Sequence, residues 1–182
     1  MSKLTAWLTL LILTTALIGL IYVTGQQILR QDANDPQIQI SEDMAHLLAS
    51  GKSLPSSTFA TSVDIATSLS TYMIVYNDKG TAIGSTGLLD GTIPTLPAGV
   101  LSYTKEQGQD RITWQPKPGV RSAVVITHVP EGLGGYVLVG RSLREVEKRE
   151  DKITFFAGSV WIASMIAIGM GFALTSDKRT KQ

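Results

Sequence analysis

Two histidines, no cysteine and a scatter of carboxylates make up the reactive inventory of this chain. His46 and His128 lie far apart, and neither has a second His or a Cys at metal-ligand spacing. Neither falls in an HExxH frame, and there is no GxSxG motif or evident Ser-His-Asp arrangement. Gly132-Leu133-Gly134-Gly135-Tyr136-Val137 approaches a dinucleotide fingerprint, but Val137 occupies the position of its last glycine. The segment also leads into a strand, whereas phosphate binding needs a helix N-terminus behind the glycines, so it reads as a turn. The expectation is a protein without metal, cofactor or catalytic activity. What remains is recognition chemistry. A guanidinium pairs with a carboxylate in a two-pronged geometry, so Arg111 and Arg121 near Trp114 could hold a small carboxylate ligand. The plainer reading puts Trp114 in the core and both arginines in water. Tyr76 shares a strand face with Tyr72 and Ile74, and its hydroxyl could reach a pocket.

The elements that must position these residues form a recognisable order. Pro36 suits the first turn of a helix carrying Ile38, Ile40, Met44, Leu47 and Leu48, which Gly51 ends. A second helical piece is expected over Ser62–Ser70. Thr71–Asn77 is rich in aromatic and β-branched residues; Asp78-Lys79-Gly80 signals a tight turn, and Thr81–Ser85 returns as its partner strand. A loop follows from Gly87 to Pro97, then a short helix over Ala98–Glu106 closed by Gly108. Arg111–Gln115, Arg121–Val129 and Gly135–Gly140 read as three more strands on short, antiparallel connections. The fold class is α+β, with one five-stranded antiparallel sheet and helices.

Two uncharged stretches flank this domain: Leu4–Val23 and Ile153–Leu174, each long enough to cross a bilayer. A cleaved signal peptide competes for the first, with small residues at Thr24 and Gly25, but its length favours an uncleaved anchor. The division is thus a cytoplasmic N-terminus (1–3), a first transmembrane helix (4–23), an extracytoplasmic domain (24–152), a second transmembrane helix (153–174) and a cytoplasmic tail (175–182). Lys3 on one side and Lys178, Arg179 and Lys181 on the other put both termini inside by the positive-inside rule. The cations of Arg141–Lys152 oppose this, but the rule weakens for loops longer than about 60 residues. Twelve Lys/Arg against fourteen Asp/Glu give the 24–152 region a net charge of −2, so no basic field for nucleic acid exists. Ala163, Ala167 and Gly171 recur every four residues, a spacing that lets membrane helices approach closely and fits a homodimer or pairing of the two spans.

The order helix, helix, hairpin, short helix, three-strand meander, helix resembles the extracytoplasmic PAS-like or single-Cache sensor domains of bacterial membrane receptors. The phrases RITWQPKPGVRSAVV (Arg111–Val125) and GGYVLVGRSLREVEKRE (Gly134–Glu150) look like the sensor region of membrane histidine kinases. The resemblance implies a ligand-binding protein of the two-component, signal-transduction type. No kinase sequence follows the second span, so its output is expected from a histidine kinase or another membrane partner. Arg144, Val146 and Arg149 would lie on a charged helix that starts near Arg141 and transmits the signal, in a stretch without Gly or Pro from Ser142 to Phe156. The alternative is an accessory or structural membrane subunit whose external domain docks other proteins.

Overall fold

The computed structural model describes residues 3–52 and 54–177 of the 182. They form two compact units, residues 3–30 with 147–177 and residues 31–146. The elements run α1 (Lys3–Asp32), α2 (Asp35–Ala49), a 3-10 turn (Ser56–Phe59), β1 (Val63–Asp64), β2 (Tyr72–Tyr76), β3 (Ala82–Ser85), β4 (Gly87–Leu88), α3 (Val100–Gln107), β5 (Gln109–Lys117), β6 (Val120–Val129), β7 (Gly135–Ser142) and α4 (Arg144–Asp177).

The central unit is α+β. Its five-stranded antiparallel sheet has the order β3-β2-β7-β6-β5, so the last strand inserts between the hairpin and the β5–β6 ribbon. All five residues of β2 are buried, because the sheet is covered on both faces. Tyr72, Ile74 and Tyr76 face a cluster with Trp114, Val124, Ile126, Tyr136 and Leu138. Met73 and Val75 face the opposite way, onto Val129, Val137, Val139 and the Ala45 and Leu48 side of α2. The period of two in the pleat thus divides one short strand between two cores.

Two sequence expectations are corrected here. Ser62–Ser70 is not a helix. Val63 and Asp64 pair in parallel with Gly87 and Leu88, inside the stretch expected to be plain loop. The Asp64 carboxylate accepts from the Ala66 N–H at 2.9 Å, a local bond that competes with helix formation. Nor does the last helix start at Arg141. Arg141 and Ser142 continue β7 by pairing with Ala123 and Ser122, and the helix begins at Arg144.

In the other unit, α1 and α4 lie antiparallel, tied along their length. Trp161 Nε1 donates to Thr15 Oγ1 at 3.1 Å, Tyr22 and Thr154 share a hydroxyl contact at 3.3 Å, and Arg30 meets Glu150 at 3.3 Å. Both helices are long and apolar enough to cross a membrane. Gly171 lies under the Trp7 ring, where a Cβ would come within 2.7 Å of it, while Ala163 and Ala167 are exposed.

Tyr72 is the most demanding fit in the sheet. Its ring crosses Gly140, its direct partner on β7, and also covers Gly87; an added Cβ would sit 2.4 Å from the ring at Gly140 and 2.6 Å at Gly87. Gly140→Ala is therefore expected to destabilise the domain by about 1–3 kcal/mol, the usual cost of overpacking. Denaturant unfolding measures it, and pairing the change with Tyr72→Ala should recover part of the loss.

Candidate functional site

The hairpin turn begins the site. Asn77 Oδ1 accepts from the N–H groups of Lys79 and Thr81 at 3.0 and 2.9 Å, and the Gly80 N–H donates to the Asn77 carbonyl. This Asx-type turn holds Lys79 in a set backbone position. Gly80, at φ +75°, brings the turn against Leu101 of α3, 3.1 Å from where a Cβ would stand. Pairing between β2 and β3 is irregular just before the turn, where the partner skips from Gly84 to Ala82 and Ile83 is left out. Such a bulge re-aims neighbouring side chains.

Between this turn, the Ile93–Ala98 loop and the start of α3 lies a cleft of about 390 Å³. Tyr76 and Ala82 line it from the sheet, Pro94, Leu96 and Pro97 from the loop, and Leu101 and Ser102 from the helix. Among the described residues lining it, Lys79 alone is charged. The nearby acids are placed elsewhere: Asp78 lies against Gly134, and both oxygens of Asp90 hold Lys117 Nζ at 2.9–3.0 Å.

On the sheet face that carries Tyr76, three buried hydroxyls interrupt a largely apolar cluster. The oxygens of Tyr72, Tyr76 and Ser122 are buried without a hydrogen-bond partner in the protein. Burial pushes the Tyr72 hydroxyl from its ordinary value of 10.0 up to about 12, against an opposing influence from nearby Ser122. That influence places the two hydroxyls near one another, although their geometry falls short of a hydrogen bond. Tyr76 is raised further, first by burial and then by the proximity of Tyr72. Neither tyrosine is a base at neutral pH; each keeps a neutral hydroxyl that can donate.

Comparison of the chain with protein-family models, curated proteins and solved structures finds no match.

Of the residues singled out from sequence, Tyr76 lines the cleft and Trp114 belongs to the same buried cluster. Arg111 and Arg121 are exposed, and the strand pleat puts them on the opposite face from Trp114. Arg111 is bound to Gln109 Oε1 through Nε and Nη2 at 3.1 and 3.0 Å. The four residues do not converge. Arg144 Nη2 donates to the Thr67 carbonyl at 2.8 Å, Val146 is partly buried, and Arg149 is exposed. His46 is exposed on α2, whereas His128 stacks on Tyr136 at 5.2 Å. Among the described residues no group of three or more His, Asp or Glu could hold a metal ion.

From sequence alone Lys79 figures only as part of a turn and Pro97 only as the end of a loop. The combination of a turn lysine with a proline-stiffened loop was the available signal. That the two segments meet is a long-range fact.

Because folded Tyr72 holds its proton more tightly than the unfolded chain, stability is complete below pH 10 and falls as pH rises toward about 12. The slope from this one group approaches 1.4 kcal/mol per pH unit, roughly. Comparing unfolding free energies at about pH 9 and about pH 11 should show a smaller loss for Tyr72→Phe than for the parent.

Proposed function

We propose that the protein is a membrane-anchored sensory protein, without enzymatic activity, whose external domain binds a small ligand in the cleft. In this reading α1 and α4 cross the bilayer, both termini are cytoplasmic and the 31–146 domain is extracytoplasmic. The signal leaves through α4 to a partner, either a second copy or a membrane signalling protein such as a histidine kinase. The PAS-like or single-Cache resemblance belongs to the same proposal, and the element order of the domain supports it.

One observation carries the reading. β7 lies at the centre of the sheet that lines the cleft, and only Leu143 separates it from α4, a helix unbroken from Arg144 to Asp177. Arg141 Nε and Arg144 Nη2 also donate to the carbonyls of Leu69 and Thr67, bracing this junction against the segment that feeds β2. A displacement of β2 or β7 is thereby communicated to the start of α4 without a flexible linker.

A docking subunit is the second reading, favoured by the solid packing of both sheet faces. It requires no movement of β7 on binding.

The orientation is tested with a reporter active only in the cytoplasm. Fused after Gln182 it should give signal, and inserted at Asp78–Gly80 it should not. The reverse pattern would overturn the orientation and the sensory role together. Transmission is tested with Val146→Pro, which removes a helix hydrogen bond at a cost of about 3 kcal/mol. This variant should insert and fold yet lose its response to stimulus, while Val146→Ala should keep it. An unimpaired proline variant would reduce α4 to an anchor.

A further inference from the structure

A second hollow lies wholly within the helical unit. It is an apolar groove of about 300 Å³ between α1 and α4. A bridge closes each end, Trp161 with Thr15 at one and Tyr22 with Thr154 at the other. At 1.5 Å per residue the two bridges stand about 10 Å apart. Gly19 and Gly158 open the space between them, and a Cβ built on either meets nothing within 4 Å. A third helix, about 10–12 Å across with its side chains, cannot lie along a groove stopped at both ends so closely. A single hydrocarbon chain can.

The Tyr22 end is polar. Gln26 Nε2 donates to Tyr22 Oη at 2.6 Å, and the relay continues through Thr154 to the Glu150 carbonyl at 3.3 and 2.8 Å. Beyond it both helices carry charge on the groove's own face. Gln26 and Arg30 continue the row of Thr15, Gly19 and Tyr22 at spacings of three and four. Glu147 and Asp151 likewise continue the row of Thr154 and Gly158. Glu150 holds Arg30 Nε at 3.3 Å, while the arginine side chain stays 65% exposed. Asp151 is exposed as well. Lys148, Arg149 and Lys152 stand about 80° or more around α4 from Gly158. The head of the groove therefore sets one guanidinium beside carboxylates, which is the charge complement of a zwitterion.

Resting on the membrane-spanning reading of α1 and α4 above, we infer that this groove seats one phospholipid with a zwitterionic, primary-ammonium headgroup, a phosphatidylethanolamine. One acyl chain lies between the two bridges, over Gly19 and Gly158. The phosphate meets the Arg30 guanidinium, whose five N–H donors serve a carboxylate and a phosphate oxygen together. The ammonium donates to Asp151 in a charge-assisted hydrogen bond. A choline headgroup carries the same charge but no N–H to donate. An anionic glycerol headgroup brings no cation to the carboxylates.

The experiment titrates the full chain, in mild detergent, with ethanolamine, choline and glycerol phospholipids of identical acyl chains, read by native mass spectrometry. One ethanolamine lipid should bind roughly tenfold or more tighter than the other two, as expected for a charge-assisted hydrogen bond. Gly158→Leu should fill the groove and lose that lipid at an unchanged melting temperature, because its new side chain starts in open space. Asp151→Asn should bring the ethanolamine lipid down to the choline level and leave the choline lipid unaffected. Equal retention of all three lipids, a preference for the glycerol lipid, or undiminished binding by Gly158→Leu would overturn the inference. So would a lipid-free dimer that Gly158→Leu splits, since a second copy would then occupy the groove. Alkaline carbonate washing of membranes separates the two levels. A chain that washes off sinks the membrane reading, whereas a retained chain without lipid preference sinks this inference alone.

Discussion

Everything in the central domain closes on β7. It pairs with β2 on one side from Tyr136 to Gly140 and with β6 on the other from Gly135 to Ser142. Without it the molecule would hold two separate two-stranded ribbons, which are marginal in water. The β2–β7 pairing joins residues sixty or more positions apart in sequence, so loop-closure entropy is met only when the C-terminal strand arrives. The strand is almost wholly buried; Val137, Leu138 and Val139 have no exposed surface. At Gly140 this packing leaves no space for a side chain, since the Tyr72 ring already occupies it, and at Gly135 the Tyr76 carbonyl does the same.

The apolar face that β7 completes has an energetic irregularity. Three buried hydroxyls lack partners on a surface otherwise built of Ile, Leu, Val and aromatic side chains. Each unmatched group carries a desolvation cost of about 1–3 kcal/mol. On the opposite face Ser41 donates to the Ile38 carbonyl and accepts from Thr127, and Gln109 reaches both Glu42 and Thr127, while Gln37 Oε1 of α2 is a fourth buried atom without a partner. The unmatched hydroxyls thus lie on the Tyr72–Tyr76 face of the sheet.

The helical unit is joined differently, by interhelical hydrogen bonds and close packing. Trp161 reaches Thr15, Tyr22 meets Thr154, and the Trp7 ring is seated on Gly171. The Arg30–Glu150 pair, exposed on its arginine side, adds little by comparison. The small-residue stripe divides accordingly, with Gly171 used inside the pair and Ala163 and Ala167 left on its outer surface.

What the amino-acid sequence determined by itself was local. Charge-free runs marked α1 and α4, Pro36 and Gly51 bounded α2 closely, and Asp78-Lys79-Gly80 set the hairpin, because each rests on neighbouring residues and backbone preference. The alternation of Ile112 and Trp114 with Arg111 and Thr113 likewise assigned their faces, since the pleat has a period of two. Tertiary structure decided what spans the chain. Val63–Asp64 became a strand because Gly87–Leu88 lay beside it, overriding a helical reading of Ser62–Ser70. β7 outlasted its apolar run because Ala123 and Ser122 offered pairing to Arg141 and Ser142. The cleft could not be read at all from single segments. Lys79, Tyr76, Leu96 and Leu101 meet only when hairpin, loop and helix are packed together, and no local periodicity encodes that convergence.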